Sequence, residues 1–234
     1  MLGGRLSKRE LGSLAVGLEA LALAVICAIR PTALASVYAL LSSPTPPRAL
    51  AAYTIAGLAS SAIAGAIVVL ILHGVRLETG SSTVNAVIEL AGGGAALDFA
   101  AGIATGRIRG GTRGEQAGDS RVLGELRNPT LRVAAAAGVA THLPGLLYLL
   151  GLNAIARGDP PLVDGLLAVL VFDLIWLTIP FCALVASIRR PAVVRAAIGR
   201  ASAWMLNHER AILILAFSVV GAYFTARGSL DLVG

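Results

Sequence analysis

Leu162–Ile188 reads LVDGLLAVLVFDLIWLTIPFCALVASI, and its apolar side chains fall on every face. A helix at the surface of a soluble protein keeps a polar stripe for water, and this run keeps none. At ~1.5 Å per residue it is long enough to cross a hydrocarbon core of ~30 Å. A membrane barrel strand alternates between lipid and lumen, whereas this run and Ala211–Val220 do not alternate. In lipid the backbone must bond to itself, so the run reads as a transmembrane helix.

The rest of the chain agrees. Its 234 residues are 56% hydrophobic and 14% charged, too little charge to cover one soluble domain. Similar runs recur at Ala15–Leu41, Ala49–Leu72, Thr83–Thr105, Val133–Ile155 and Ala211–Thr225. The expected fold class is therefore an all-α integral membrane protein of about six transmembrane helices. The basic start (Arg5, Lys8, Arg9) before apolar sequence is like a secretory signal, but the apolar stretch runs on to Leu41, beyond the length of a signal core. Cys27 and Cys182 both fall within expected spans and form no disulfide framework.

Six spans put both termini on one side. The first, third and fifth connections hold twelve arginines, against six basic residues on the opposite face, which predicts odd-numbered loops inside and both termini outside. The Gly- and Arg-rich stretch at 107–130 reads as a cytoplasmic linker between residues 1–106 and 131–234. Within Pro191–Glu209, Val194, Ile198, Ala201 and Met205 share one helical face while Arg195 and Arg200 lie off it. That pattern predicts a helix lying on the inner leaflet.

The two halves resemble each other. Arg30-Pro31 precedes Tyr38 in the first span, and His142-Leu143-Pro144 precedes Tyr148 in the fourth. Prolines breaking helices at matching positions of two three-helix units predict a 3+3 inverted repeat with a site near the midplane. Arg30 near the middle of a span is costly unless it meets a partner or water. Glu89, Asp98 and Asp173 are its candidate carboxylate partners, with Glu19 nearer the outer end of the first span. Two readings stand side by side: a structural ion pair, or a cavity-facing guanidinium that binds phosphate, sulfate or carboxylate. In the second, Asp98 or Asp173 exchanges protons with His142, whose imidazole titrates near neutrality. Gly92-Gly93-Gly94 and the small-residue stretches Ala62–Ala66 and Ala134–Gly138 read as close helix packing. No zinc cluster, Walker loop or catalytic triad has usable spacing, so no enzyme, metal site or cofactor is expected. A proline-flanked Cys27 is similar to those of membrane thiol-reductases, but the fourth span lacks the partner cysteine.

Three stretches carry a family resemblance: PRALAAYTIAGL at 47–58, GVATHLPGLLYLLGLNAIA at 138–156 and WMLNHERAILILAFSVVGAYFTARG at 204–228. The chain resembles the actinobacterial GPL-addressing and sulfolipid-addressing proteins, the GAP or Sap family, placed within the LysE exporter superfamily. The resemblance implies a six-helix 3+3 fold in the plasma membrane, a part in bringing envelope glycolipids to the cell surface, and central roles for the neighbourhoods of Pro31 and Pro144. The expected function is export of an envelope lipid or anionic amphiphile. The alternatives are export of an amino acid or metal ion, and a non-transporting role in a larger lipid-export complex. Membrane lipids and a second copy of the chain are the expected partners, and nucleic acid is not.

Overall fold

The computed structural model describes residues 8–79, 81–108 and 129–233. Most of the expected linker lies outside these residues. The described residues form helices α1 (Lys8–Ala28), α2 (Pro31–Leu41), α3 (Pro46–Thr79), α4 (Ser81–Ala104), α5 (Leu131–Thr141), α6 (Leu146–Arg157), α7 (Leu162–Trp176), α8 (Thr178–Arg189) and α9 (Pro191–Val233), with no strand among them.

Among the described residues three helices, α3, α4 and α9, are long and apolar enough to cross a membrane, and three bent pairs bring the number to as many as six where each pair is one span. The pairs are α1–α2, bent by 52°, α5–α6, bent by 64°, and α7–α8, bent by 56°. One cause serves all three breaks. A proline lacks an N–H and its ring collides with the carbonyl four residues back, so the preceding helix must end near that residue. Pro31 follows the end of α1 at Ala28, Pro144 the end of α5 at Thr141, and Pro180 the end of α7 at Trp176. At Pro180 the break falls at Leu177, where one helix stops and another starts.

Breaking a helix exposes carbonyls at its C-terminus that need donors. Arginines supply them at three ends. Arg30 donates through Nη2 to Thr141, the last residue of α5. Arg195 Nε donates to Leu41, the last of α2, at 2.9 Å, and Arg210 Nη2 to Ala104, the last of α4, at 3.0 Å. A cation at a helix C-terminus also meets the negative end of the helix dipole.

Small residues set the helix crossings, as expected. A Cβ on Gly93 would stand 2.6 Å from the backbone nitrogen of Thr225, and one on Gly221 2.9 Å from the Gly93 carbonyl, so α4 and α9 touch backbone to backbone. At Gly138 a Cβ would collide with the carbonyl of Tyr53, which fixes the crossing of α3 and α5. Gly94 of the same triplet faces open space.

The final segment differs from expectation. Pro191–Glu209 is helical, but it runs without interruption into Ala211–Thr225 as one helix. At ~1.5 Å per residue its 43 residues extend for about 64 Å, roughly twice the hydrocarbon core. No proline interrupts it after Pro191, and protein covers part of the face predicted to meet lipid, with Ala201 left exposed. Val194 and Ile198 pack on the cluster formed by Val37, Leu40 and Leu50, and Met205 is buried.

Candidate functional site

The breaks in the first and fourth spans meet inside the protein. Arg30 occupies the N-cap position of α2 in extended conformation, with φ −126° and ψ 132°. From there its side chain reaches the end of α5 and lies over the ring of Trp176, 4.7 Å from the centroid. Trp176 in turn stands 5.1 Å from His142 and 4.7 Å from Tyr148, between ring centroids. His142 donates through Nδ1 to the Gly138 carbonyl at 2.9 Å and sets its ring edge-on to Tyr53, 5.5 Å away. Thr141 donates to Ala137 O at 2.7 Å, and its hydroxyl is paired with that of Tyr53 at 2.8 Å. The last polar member is Asp173, fully buried, whose Oδ1 accepts from the Tyr148 hydroxyl at 3.1 Å.

Six expected residues thus fall in one constellation. Arg30, Pro31, His142 and Pro144 mark the two breaks, and Tyr148 and Asp173 join them through Trp176. Trp176, Tyr53 and Thr141 complete it, although nothing in their spacing distinguished them from lipid-facing or packing residues. Tyr38 stands apart, its ring against Gly199 of α9, and Asp98 is exposed on α4. Glu89 lies in a different cluster, described below.

Arg30 has no carboxylate. Among the described residues no Asp or Glu oxygen comes within 4.0 Å of it. What holds it is a carbonyl and an aromatic face, a cation–π contact stabilised by the exclusion of water. Two donors are left over: Arg30 Nε and Trp176 Nε1 are both buried without a hydrogen-bond partner. An orphaned buried donor costs ~1–3 kcal/mol, and here two stand on touching side chains. The N-termini of α2 and α6 begin at these same breaks and add positive potential.

The expected carboxylate partners of Arg30 are engaged elsewhere. Glu19 of α1 and Glu89 of α4 both pair with Arg157, at the end of α6. Arg227 of α9 adds a bond to Glu19 at 2.8 Å and a longer contact to Glu89 at 3.8 Å. Glu89 is fully buried, and Glu19 and Arg157 nearly so. The network joins four helices at one end of the molecule, two from each half.

A family model described as Sap, sulfolipid-1-addressing protein, matches residues 20–229. The chain belongs to the Sap family. No curated protein and no solved structure matches it. The match takes in the breaks before Pro31 and Pro144 and every member of the central constellation. It also takes in Glu89, Arg157 and Arg227 of the four-residue network, with Glu19 one residue before its start, so this Sap-family chain carries two separate buried polar clusters: a charge-balanced one of two acids and two arginines, and one at the breaks where Arg30 has no carboxylate within 4.0 Å among the described residues.

Proposed function

We propose that this Sap-family protein is a plasma-membrane transporter that takes part in bringing an envelope lipid with an anionic head to the cell surface, and that Arg30 and Trp176 hold the head group. The two adjacent unpartnered donors, Arg30 Nε and Trp176 Nε1, carry the reading. A sulfate, phosphate or carboxylate accepts from both, and a guanidinium with no competing carboxylate keeps its charge for such a group. The family description supports the lipid class, since an addressing role for a sulfolipid involves an amphiphile with an anionic head.

An apolar cleft supports the same reading. It has a volume of about 400 Å³ and lies between α1, α6 and α7, lined by Ala20, Ala24, Ile155, Val171 and Phe172. The ring of Phe172 packs on that of Tyr148, 5.4 Å between centroids, so the wall of the cleft continues into the aromatic layer around Arg30. Its size and apolar lining suit part of an acyl chain.

The pattern of helix contacts supports a 3+3 inverted repeat of the LysE type. Exchange α1 with α5, α2 with α6, α3 with the α7–α8 pair, and α4 with α9. The contact of α1 with α6 becomes that of α5 with α2, the contact of α9 with α2 becomes that of α4 with α6, and α1 on α7 becomes α5 on α3. Each of these exchanged contacts is present. Two halves packed this way, with broken helices at the centre, suit alternating access by rocking one half against the other. The arginine count favours both termini outside.

The test compares surface-extractable with total envelope lipid in a strain lacking the protein, then in that strain carrying wild type or Arg30→Ala. The expected result is a lipid that is made but absent from the surface, restored by wild type and not by Arg30→Ala at equal membrane level. Restoration by both would sink the site-based reading and leave a non-transporting partner role; no lipid change at all would redirect the search to small solutes.

A further inference from the structure

Asp173 is a carboxyl group with no cation. It is fully buried in α7, and among the described residues no Lys, Arg or His nitrogen lies within 4.0 Å of it. Its polar neighbours are two hydroxyls, Tyr148 of α6 at 3.1 Å and Ser61 of α3. The Tyr148 hydroxyl also lies 2.9 Å from the Ser61 carbonyl, which fixes its position. From α1 the titratable group in the same packed cluster is Cys27, and neither Cys182 nor Arg189 of α8 pairs with Asp173. Asp173 Oδ2 has no hydrogen-bond partner. The cation in the constellation is Arg30, joined to Asp173 only through the Trp176 and Tyr148 rings.

Charge balance follows from this placement. The constellation holds one guanidinium and one carboxylate, linked through the Trp176 and Tyr148 rings, and their sum is zero. An anion seated on Arg30 makes the sum negative in a medium where an uncompensated charge costs several kcal/mol. The new negative charge and the ionised Asp173 repel each other, which favours the neutral form of the acid. Resting on the proposed binding of an anionic head at Arg30, we infer that Asp173 is a proton site coupled to the anion: it takes one proton when the anion binds and releases it when the anion leaves. The proton comes from water, an O–H bond forms at Oδ2, and the loaded site is Arg30 cation, bound anion and neutral acid. Linkage makes the coupling mutual, so low pH tightens anion binding by the factor with which the anion favours protonation. Proton and anion thus bind together. The driving force for outward movement then lies in the anion's own gradient or in its removal at the surface.

The test uses purified full-length protein in weakly buffered detergent with a pH indicator, and sulfatide as probe, because its sulfate does not titrate near neutrality. Uncharged galactosylceramide is the control. Wild type is expected to take up about one proton per sulfatide bound and none with the control. Asp173→Asn, which mimics the protonated acid, is expected to take up none and to bind sulfatide with an affinity independent of pH. Infrared difference spectra should show a carboxylic-acid carbonyl band on sulfatide binding that Asp173→Asn removes. Sulfatide binding by wild type with no proton uptake overturns the inference, as does uptake that survives Asp173→Asn. If sulfatide does not bind wild type, the anionic-head reading fails. The infrared pH titration then stands alone: a band that Asp173→Asn removes keeps the proton site, and its absence overturns it.

Discussion

Replacing Arg157 by Met should destabilise the protein more than any other single change outside the helix crossings. Arg157 is the shared partner of two buried acids, Glu19 and Glu89, and its removal leaves Arg227 as their remaining cation. Arg227 is a poor substitute: a third of its side chain is exposed, and its contact with Glu89 is 3.8 Å. Breaking a buried pair by removing one partner costs ~3–5 kcal/mol, because the other charge stays buried. For a chain of this length about 2–4 °C of melting temperature is lost per kcal/mol, so thermal unfolding in detergent should shift down by about 6–20 °C. The decisive comparison is the neutral network, Glu19→Gln, Glu89→Gln and Arg157→Met together, which removes the charges as a set. Replacing a whole buried network with neutral groups is often harmless, so the triple variant should melt well above Arg157→Met alone. A single variant within 2 °C of wild type, or a triple variant no better than the single, would refute the view that uncompensated burial, rather than lost contact area, sets the cost.

Other consequences can be measured independently. Gly138→Ala drives a methyl group into the Tyr53 carbonyl where α3 crosses α5, and should cost about 1–3 kcal/mol, read as a lower melting temperature and reduced membrane level. Trp176→Leu removes the ring under Arg30 and one of the two spare donors; the cation–π contact alone is ~0.5–2 kcal/mol, so sulfatide binding should weaken by at least about 2-fold, measured by lipid titration. Orientation is checked by cysteine labelling in a background free of Cys27 and Cys182: a cysteine at Gly158, between α6 and α7, should react with an impermeant reagent added to whole cells. One at Ser42, between α2 and α3, should react only after the membrane is opened.

Apolar length and proline position made the architecture legible. Each of the three breaks follows from a local collision between a proline ring and a carbonyl four residues back, which needs no knowledge of tertiary contacts. The joining of Pro191–Glu209 to the last span was not legible, because an amphipathic face reads alike whether lipid or protein covers it. Val194 and Ile198 face a protein cluster, and Arg195, which lies off that apolar face, bonds to the Leu41 carbonyl.

The same limit governed the charges. Sequence supplies the position of Arg30 within its span but not its partner, and leaves a structural ion pair and a cavity-facing guanidinium side by side. Glu89 and Glu19 are instead drawn to Arg157, whose place next to Gly158 and Pro160 made it resemble one more loop arginine in an orientation count. Once those two acids are committed at the helix ends, the charges left at the centre are Arg30 and Asp173, linked through the Trp176 and Tyr148 rings. The functional reading therefore rests on a structural network that does not touch the site. The ion pairs of Arg157 hold Glu19 and Glu89 away from Arg30, and the carboxylate that remains in the central constellation, Asp173, bonds to the Tyr148 hydroxyl instead.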